Sequence, residues 1–490
     1  MKKYQFYLYL ALAILVLSLS LSACRKFVQL DPPNTKLATV SVFTSDLAAT
    51  AAQVTIYQNM NQQSESFKIS QFGGLLADEL KNYSTNVSLV QYYTNSMVSS
   101  NALLGNWSST SAYFYIYQAN SIVESLHGNA QITPTVARQL TGESLFVRAF
   151  WHFYLTNEYG DVPLVTSTNY QVNNQSGRTP QAQVYQQIII DLAAAQGLLN
   201  GNYIDASDTT VTTERTRPNQ SAATALLARV YLYTKQYPQA EAEATAVINN
   251  TLYKLCPNLS GPANSVFLKN SSEAIWQLQP TLPANSNTKE APSFILKGAP
   301  GTGTVNSATI STQLYNSFEP GDKRQTNWIN VYTATKAPFT QYYYPYKYQS
   351  NNVSVTDLST ATEYSMVLRL AEQYLIRAEA RAYNGNTAGA LDDLNKIRNR
   401  AGLSNYAGAT DQASILTAIL HERQVELFTE WGHRWFDLNR TGNITTVMGL
   451  PGNAYAAKGG IGAWSDTKRL FPVAQAQINA DPNLVQNPGY

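Results

Sequence analysis

Cysteine and histidine are scarce in this sequence. Two cysteines, Cys24 and Cys256, and four histidines serve 490 residues. If Cys24 is spent on an anchor, Cys256 has no partner within the chain, and a disulfide framework is excluded. His127, His152, His421 and His433 show neither an H-x-x-x-H nor a Cys/His spacing, which argues against a thiolate or imidazole zinc site. No D-x-[DN]-x-[DN]-G calcium string occurs either. The expectation is a protein with no metal and no cofactor.

Charge is also sparse. Asp, Glu, Lys and Arg make up 13% of the chain, about half the usual share. The formal net charge of +2 includes Lys2 and Lys3, and no acid lies in residues 1–23. Removing that segment leaves 32 bases against 32 acids. No basic run appears, so nucleic acid, whose affinity rests on clustered Lys and Arg at phosphates, is not an expected partner. What fills the gap is tyrosine, with 32 residues against 16 phenylalanines. Hydroxyls, amides and aromatic faces suit neutral polar ligands better than phosphates. At 44% apolar residues, a sizeable core is available.

Long apolar runs are absent after the first residues. Met1-Lys2-Lys3 leads into an apolar run from about Phe6 to Leu21, followed by Leu21-Ser22-Ala23-Cys24. A charged start, a short apolar stretch and small residues before a cut describe a secretory signal peptide. The run is shorter than the roughly 20 residues that span a bilayer. Leu-Ser-Ala-Cys resembles the lipobox of bacterial lipoproteins, which implies that Cys24 is lipidated and becomes the first mature residue. Acyl chains on that thiol would anchor the mature chain to a membrane. Residues 24–40, with Asp31-Pro32-Pro33-Asn34, read as an extended tether, and 41–490 as a single domain.

Helical patterns dominate that domain. Ser45-Asp46 is positioned to cap a helix reaching about Met60, with Leu47, Val54 and Tyr57 on one face. The spacing of Trp107, Tyr113, Tyr117, Asn120 and Ile122 predicts another ending near Leu126. Pro134 opens a longer one that Gly160 and Pro163 terminate, with Leu140, Leu145, Ala149 and Phe153 facing inward. Residues 180–200, 219–235 and 238–249 give three more. Ala222, Leu226, Val230 and Tyr233, then a turn and Ala240, Ala244 and Val247, recur in kind at Ala378–Tyr383, Asn384-Gly385-Asn386 and Ala388–Ile397. Small residues facing an aromatic across a tight turn obey the logic of tetratricopeptide repeats. Residues 61–106 and 251–365 lack helical periodicity, and loops of that length usually carry function. Within the second, Glu273–Gln279 reads as a strand, and Tyr342, Tyr344, Tyr346 and Tyr348 alternate at period two. The expected architecture is mainly α: a helical part over 41–250 with a loop insertion at 61–106, a loop- and strand-rich part at 251–365, and a helical part at 366–490.

Five segments in order resemble one family, the SusD/RagB outer-membrane lipoproteins of Bacteroidota. They are Gly142-Glu143 through Arg148–Tyr154 to Tyr159–Leu164; Ala222–Leu232; Leu368–Glu372 with Ala378-Glu379-Ala380 and Leu394–Arg398; Glu422-Arg423 with Glu426-Leu427 and Gly432–Leu438; and Leu470-Phe471-Pro472 with Asn483-Leu484 and Gln486–Tyr490. The resemblance covers nearly the whole mature chain. It implies a tetratricopeptide-like helical scaffold with a loop-built binding face and no catalytic activity. It also implies attachment to the outer membrane through a lipid, a glycan ligand, and a SusC-like TonB-dependent transporter barrel over which the protein sits. One departure is that the tether begins Arg25-Lys26 and holds only Asp31, where acidic residues favour export to the cell surface.

Paired acids invite a glycosidase reading. Glu422 and Glu426, however, continue the apolar stripe of Ile415 and Ile419, and Glu372 and Glu379 continue from Leu368. Buried acids need cations, and Arg369, Arg398, Arg423 and Arg434 are the expected partners. His433, between Gly432 and Arg434, has no accompanying nucleophile motif. The loop aromatics are the binding candidates: Tyr83, Tyr92, Tyr93, Trp328 and Tyr342, with Asn86 to pair with sugar hydroxyls, and Tyr332, Tyr344 and Asn82 nearby. Asp78-Glu79 is a second possible acceptor of sugar hydroxyls, or a charge at a helix end. Glycan capture leads. Peptide binding, as in some relatives, is the alternative, and a hydrolase or a purely helical scaffold are further readings.

Overall fold

A computed structural model describes residues 42–105, 112–301, 306–351, 353–449, 454–460 and 462–490. The expected signal peptide, Cys24 and the whole expected tether at 24–40 lie outside them, as does Trp107. Helices α1 (Asp46–Gln62), α2 (Glu65–Leu76), α3 (Val87–Tyr93), α4 (Ala112–Leu126), α5 (Pro134–Tyr159) and α6 (Gln181–Leu198) come first. Next are α7 (Gln220–Tyr233), α8 (Tyr237–Asn249), α9 (Leu370–Tyr383), α10 (Thr387–Arg400), α11 (Gln412–Leu427) and α12 (His433–Thr441). Short helices lie between them. The strands are few: β1 (Leu80–Asn82), β2 (Ala274–Leu278), β3 (Ala308–Ile310), β4 (Ile329–Thr333), β5 (Gln341–Pro345) and β6 (Ser365–Arg369), with a small ribbon of Tyr203–Ile204 on Val211–Thr212.

Local chemistry explains most helix ends. Pro134 occupies the first turn of α5, where its missing N–H costs nothing, and Gly160 closes that helix at φ +75°. Side chains of Ser45, Asn219, Asn386 and Asp411 accept amide hydrogens at the starts of α1, α7, α10 and α11. Leu47, expected inside, is exposed, while Tyr57 on the same helix is buried.

The repeated helix pairs pack as the small residues foretell. Ala228 and Leu232 of α7, Ala240 and Ala244 of α8, and Ile376 and Ala380 of α9 form one buried cluster. Tyr237 and Tyr383 stack at 4.0 Å where the two pairs meet. A second cluster joins α9 and α10 to Ile415, Ile419 and Leu427 of α11. The main core runs along α5, where Phe150 meets Trp276 of β2 at 5.4 Å and Trp431 at 5.3 Å. Truncating Phe150 to Ala would cost about 3–5 kcal/mol.

The segment expected as a loop insertion at 61–106 departs from that expectation, because it carries α2 and α3. Helix α2 holds Gly73 and Gly74, which lower helix propensity and mask its pattern. Gly73 is nonetheless required, because a Cβ there would lie 2.6 Å from Gly432 Cα. Helix α2 therefore packs directly on the start of α12. The expected strand at 273–279 is β2, which pairs antiparallel with β6.

Candidate functional site

Strand β1 pairs antiparallel with β3, matching Leu80 to Ile310 and Asn82 to Ala308. Strand β5 packs beside β3 and forms a hairpin with β4, matching Tyr332 to Tyr342. This arrangement delivers Tyr83, just past β1, to Tyr342 of β5. Their rings meet edge to face, with centroids 5.7 Å apart and planes at 82°. Both are half-buried, so each keeps an open face. Lys81 Nζ sits 4.9 Å from the Tyr83 ring centre.

The Tyr83 turn is built to hold its place. Asn82 Oδ1 accepts from Ser84 N, and Asn82 Nδ2 donates to the Ser84 carbonyl. The Asn82 amide thus shapes the turn. Gly301, at φ +77°, lies against Tyr83, and a Cβ there would fall 2.5 Å from the Tyr83 carbonyl oxygen. Tyr93, at the end of α3, is half-buried; burial first and then the nearby Tyr83 raise its phenol above the ordinary range. Lys458 Nζ lies 5.5 Å from the Tyr93 ring and donates to the carbonyls of Leu75, Leu76 and Ala77, at the C-terminal end of α2. Asn86 is exposed and caps α3 through Oδ1, accepting from Ser88 N and Leu89 N.

Two of the expected binding rings are core residues. Trp328 has no exposed surface; its Nε1 donates to the Leu259 carbonyl at 2.9 Å, and Lys347 Nζ sits 4.8 Å from its ring. Tyr92 is 1% exposed, stacks on Phe72 at 4.5 Å, and donates through its hydroxyl to the Leu103 carbonyl. Neither can meet a ligand without unpacking the core. Tyr344 is buried as well, while Tyr332 is half-buried on the hairpin. The structure brings together Tyr83, Tyr93 and Tyr342. Sequence reasoning missed Lys81, although it lies only two residues before Tyr83, and the stacked pair Tyr315–Tyr343 at 4.1 Å, which no spacing joins because the two are 28 residues apart.

The paired acids are buried and neutralised. Glu426 accepts from Arg369 at 2.6 Å, from Arg324 at 3.0 Å and from Arg400. Burial works to raise its carboxyl, but Arg400, Arg369 and Arg324 outweigh it and hold it well below the usual range. Glu422 pairs with Arg324 at 2.7 Å and Arg398 at 3.5 Å. Glu372 and Glu379 are taken by Arg229 of α7 and Arg440 of α12 at 2.6 Å each, two arginines that were not among the expected cations. Of the expected cations, Arg423 instead binds Asp437, and Arg434 binds Asp78. With these partners the acids join helices and face no open cleft. Asp78 and Glu79 are both buried, which removes them as acceptors of sugar hydroxyls. His433 is buried too, and its ring is held neutral by burial and by Arg229 and Arg423.

Among the described residues, no group of three or more His, Cys, Asp or Glu could hold a metal ion, and no helix is long and apolar enough to cross a membrane. Cys256 is free and buried.

The sequence model of the SusD family matches residues 287–490, and that of a related family described as starch-binding associating with outer membrane matches residues 26–232. SusD-like protein P2 of Formosa agariphila is 24% identical over 423 residues, spanning 77% of this chain and 79% of that protein. Two solved structures share the fold. A laminarin binding SusD-like protein superposes with a TM-score of 0.72 at 23% identity, covering 91% of this chain and all of that one. Surface glycan-binding protein A from Bacteroides uniformis does so with a TM-score of 0.71 at 20% identity, covering 90% of this chain and 99% of that one. Motifs, fold and both halves of the sequence agree: the chain belongs to the SusD/RagB family.

Proposed function

We propose that this protein is a lipid-anchored, non-catalytic subunit that captures a neutral glycan and delivers it to a SusC-like TonB-dependent transporter barrel in the outer membrane. The observation that carries the reading is the half-open aromatic corner of Tyr83 and Tyr342 on a strand framework. A sugar ring presents C–H groups on one face and hydroxyls at its rim. Crossed rings accept the first, and Asn86 and the Tyr93 hydroxyl stand by for the second. Among the described residues, Lys81 lies against the Tyr83 ring and Lys458 against the Tyr93 ring, the second committed to three backbone carbonyls, which is too little free charge to select a polyanion.

Two neighbours in fold support a carbohydrate, being named for binding laminarin and surface glycan. The anchor would be Cys24, and the tether at 24–40 would give the domain room above the membrane. Delivery rests on pairing: a bound glycan is released into the barrel when the two proteins close. The test is affinity electrophoresis in gels containing laminarin, starch or xyloglucan. Retardation that falls when Tyr83 or Tyr342 becomes Ala supports the reading. Retention by an immobilised peptide mixture, with no glycan effect, replaces it with peptide capture.

A further inference from the structure

A second concavity lies apart from the Tyr83 corner and shares no residue with it. It is a cleft of about 500 Å³, within the range of about 300–1,000 Å³ usual for small-ligand sites. One wall is α4, through Tyr113 and Tyr117. Another is the segment from Pro163 to Ser176, and the third is the chain from Gln477 to Leu484.

Tyr117 is 49% exposed and Tyr170 is 68% exposed, and both line the cleft. Their hydroxyls, and the side-chain amides of Asn174 and Gln477, have no hydrogen-bond partner among the described residues. The described lining contains no Lys or Arg, and Asp481 is its single acid. Two open rings, two unspent amides and almost no charge match a neutral saccharide and mismatch a phosphate or a carboxylate.

The walls are fixed from beneath. Asn120 Nδ2 donates to the carbonyls of Val165 and Ser167, and Arg148 Nη1 donates to that of Thr166. Arg148 is itself clamped by Asp191 at 2.6 Å, with both side chains buried. His152 Nε2 accepts from Val165 N, and its ring is kept neutral by burial, which lowers its pKa to about 4. Across the cleft, Asn483 Nδ2 donates to Gln175 O, and Arg178 Nη1 donates to Val485 O. Tyr117 stands on helix α4 and Tyr170 opens a one-turn helix (Tyr170–Asn173) that follows the segment tied down by this network, so both rings are held on ordered backbone and little ordering cost remains at binding.

The geometry points to a second saccharide-binding cleft, in which Tyr117 and Tyr170 stack a sugar unit and Asn174 and Gln477 hydrogen-bond its hydroxyls. It rests on the glycan reading of the Tyr83 corner and extends it: one polymer would be held at two places, which raises avidity over either site alone.

The experiment runs the full-length chain, in a polyoxyethylene detergent, through native gels containing laminarin, starch or xyloglucan. Three variants are compared with the wild type: Y83A/Y342A, Y117A/Y170A and the four-fold combination. Each ring is worth about two- to tenfold in affinity. Expected is partial retardation in each double variant and none in the four-fold variant. Y117F/Y170F, which keeps the rings, should run close to wild type. Full wild-type retardation by Y117A/Y170A, or complete loss in Y83A/Y342A, overturns the second site while leaving the first. No retardation of the wild type in any gel overturns the glycan reading and the second site with it. Retardation only by chitosan oligosaccharide gels, lost in D481N, would make the cleft a cation site and also overturn the proposal.

Discussion

The edge of one ring of the Tyr83–Tyr342 pair meets the face of the other at 5.7 Å, although one lies just past β1 and the other on β5. The pair exists because β1 pairs with β3 and β3 lies beside β5. Each ring is half-open, so its removal should touch binding and spare the fold. Tyr83→Ala or Tyr342→Ala should weaken glycan affinity about two- to tenfold with little change in Tm. Trp328→Ala should do the reverse, costing about 3–5 kcal/mol of stability through a core cavity. Calorimetry with the bound glycan and thermal unfolding of the same variants separate the two outcomes.

Glu426 lies buried among Arg324, Arg369 and Arg400. Glu426→Gln keeps the shape and removes the charge that three guanidinium groups share. Breaking one side of such a buried cluster costs about 3–5 kcal/mol. A denaturant series should show the unfolding free energy falling by that amount. The Glu426 carboxyl is held well below the usual range, so its contribution is fully present at neutral pH and fades progressively as the pH falls below the ordinary carboxylate value toward that depressed one.

Burial pushes Glu79 up from the usual 4.5 to about 8. In the folded chain it keeps its proton in the window where the unfolded chain has lost it. Stability therefore falls as pH rises from about 4.5 to about 8, by this group's share. Glu79→Gln keeps an acceptor for Thr429 N and removes that share. The difference between variant and wild-type unfolding free energies should grow in the variant's favour across that window. A flat difference would contradict a buried, protonated Glu79.

Lys458 ties three carbonyls at the end of α2 to the underside of Tyr93. Lys458→Met fills similar space and leaves those carbonyls without their donor. The cost should be about 1–3 kcal/mol. Because β1 starts four residues after α2 ends, glycan affinity should fall alongside Tm. Hydrogen exchange over 75–83 should rise in the variant.

Anchoring is tested at Cys24. Cys24→Ser removes the thiol that would carry the acyl chains. The variant should lose incorporation of labelled palmitate and leave the membrane fraction. Retention of both would point to an anchor elsewhere in the chain.

How far the sequence could be read depends on the kind of signal each element carries. Helix α5 was legible because Pro134 and Gly160 mark its ends and Leu140, Ala149 and Phe153 fall on its inner face. Helix α2 was hidden because its glycines include one that serves a packing contact with Gly432, far away in the chain. The site was half legible. Tyr83 and Tyr342 stand out as aromatics in polar loops, but so did Trp328 and Tyr92. Their burial is decided by distant groups, Lys347 and Leu259 for the first, Phe72 and Phe471 for the second. The burial of Glu372 and Glu379 was readable from their helix stripe. Their partners Arg229 and Arg440 were not, since a stripe shows which side faces inward and leaves open what it meets.

The most direct test of glycan capture is isothermal calorimetry of the full-length chain in detergent against laminarin, starch and xyloglucan oligosaccharides, alongside a mixed peptide pool. Capture at the Tyr83 corner predicts a binding isotherm with at least one glycan, weakened in Y83A and in Y342A and absent with peptides. Heat with peptides alone, or a glycan isotherm indifferent to both tyrosines, would contradict it.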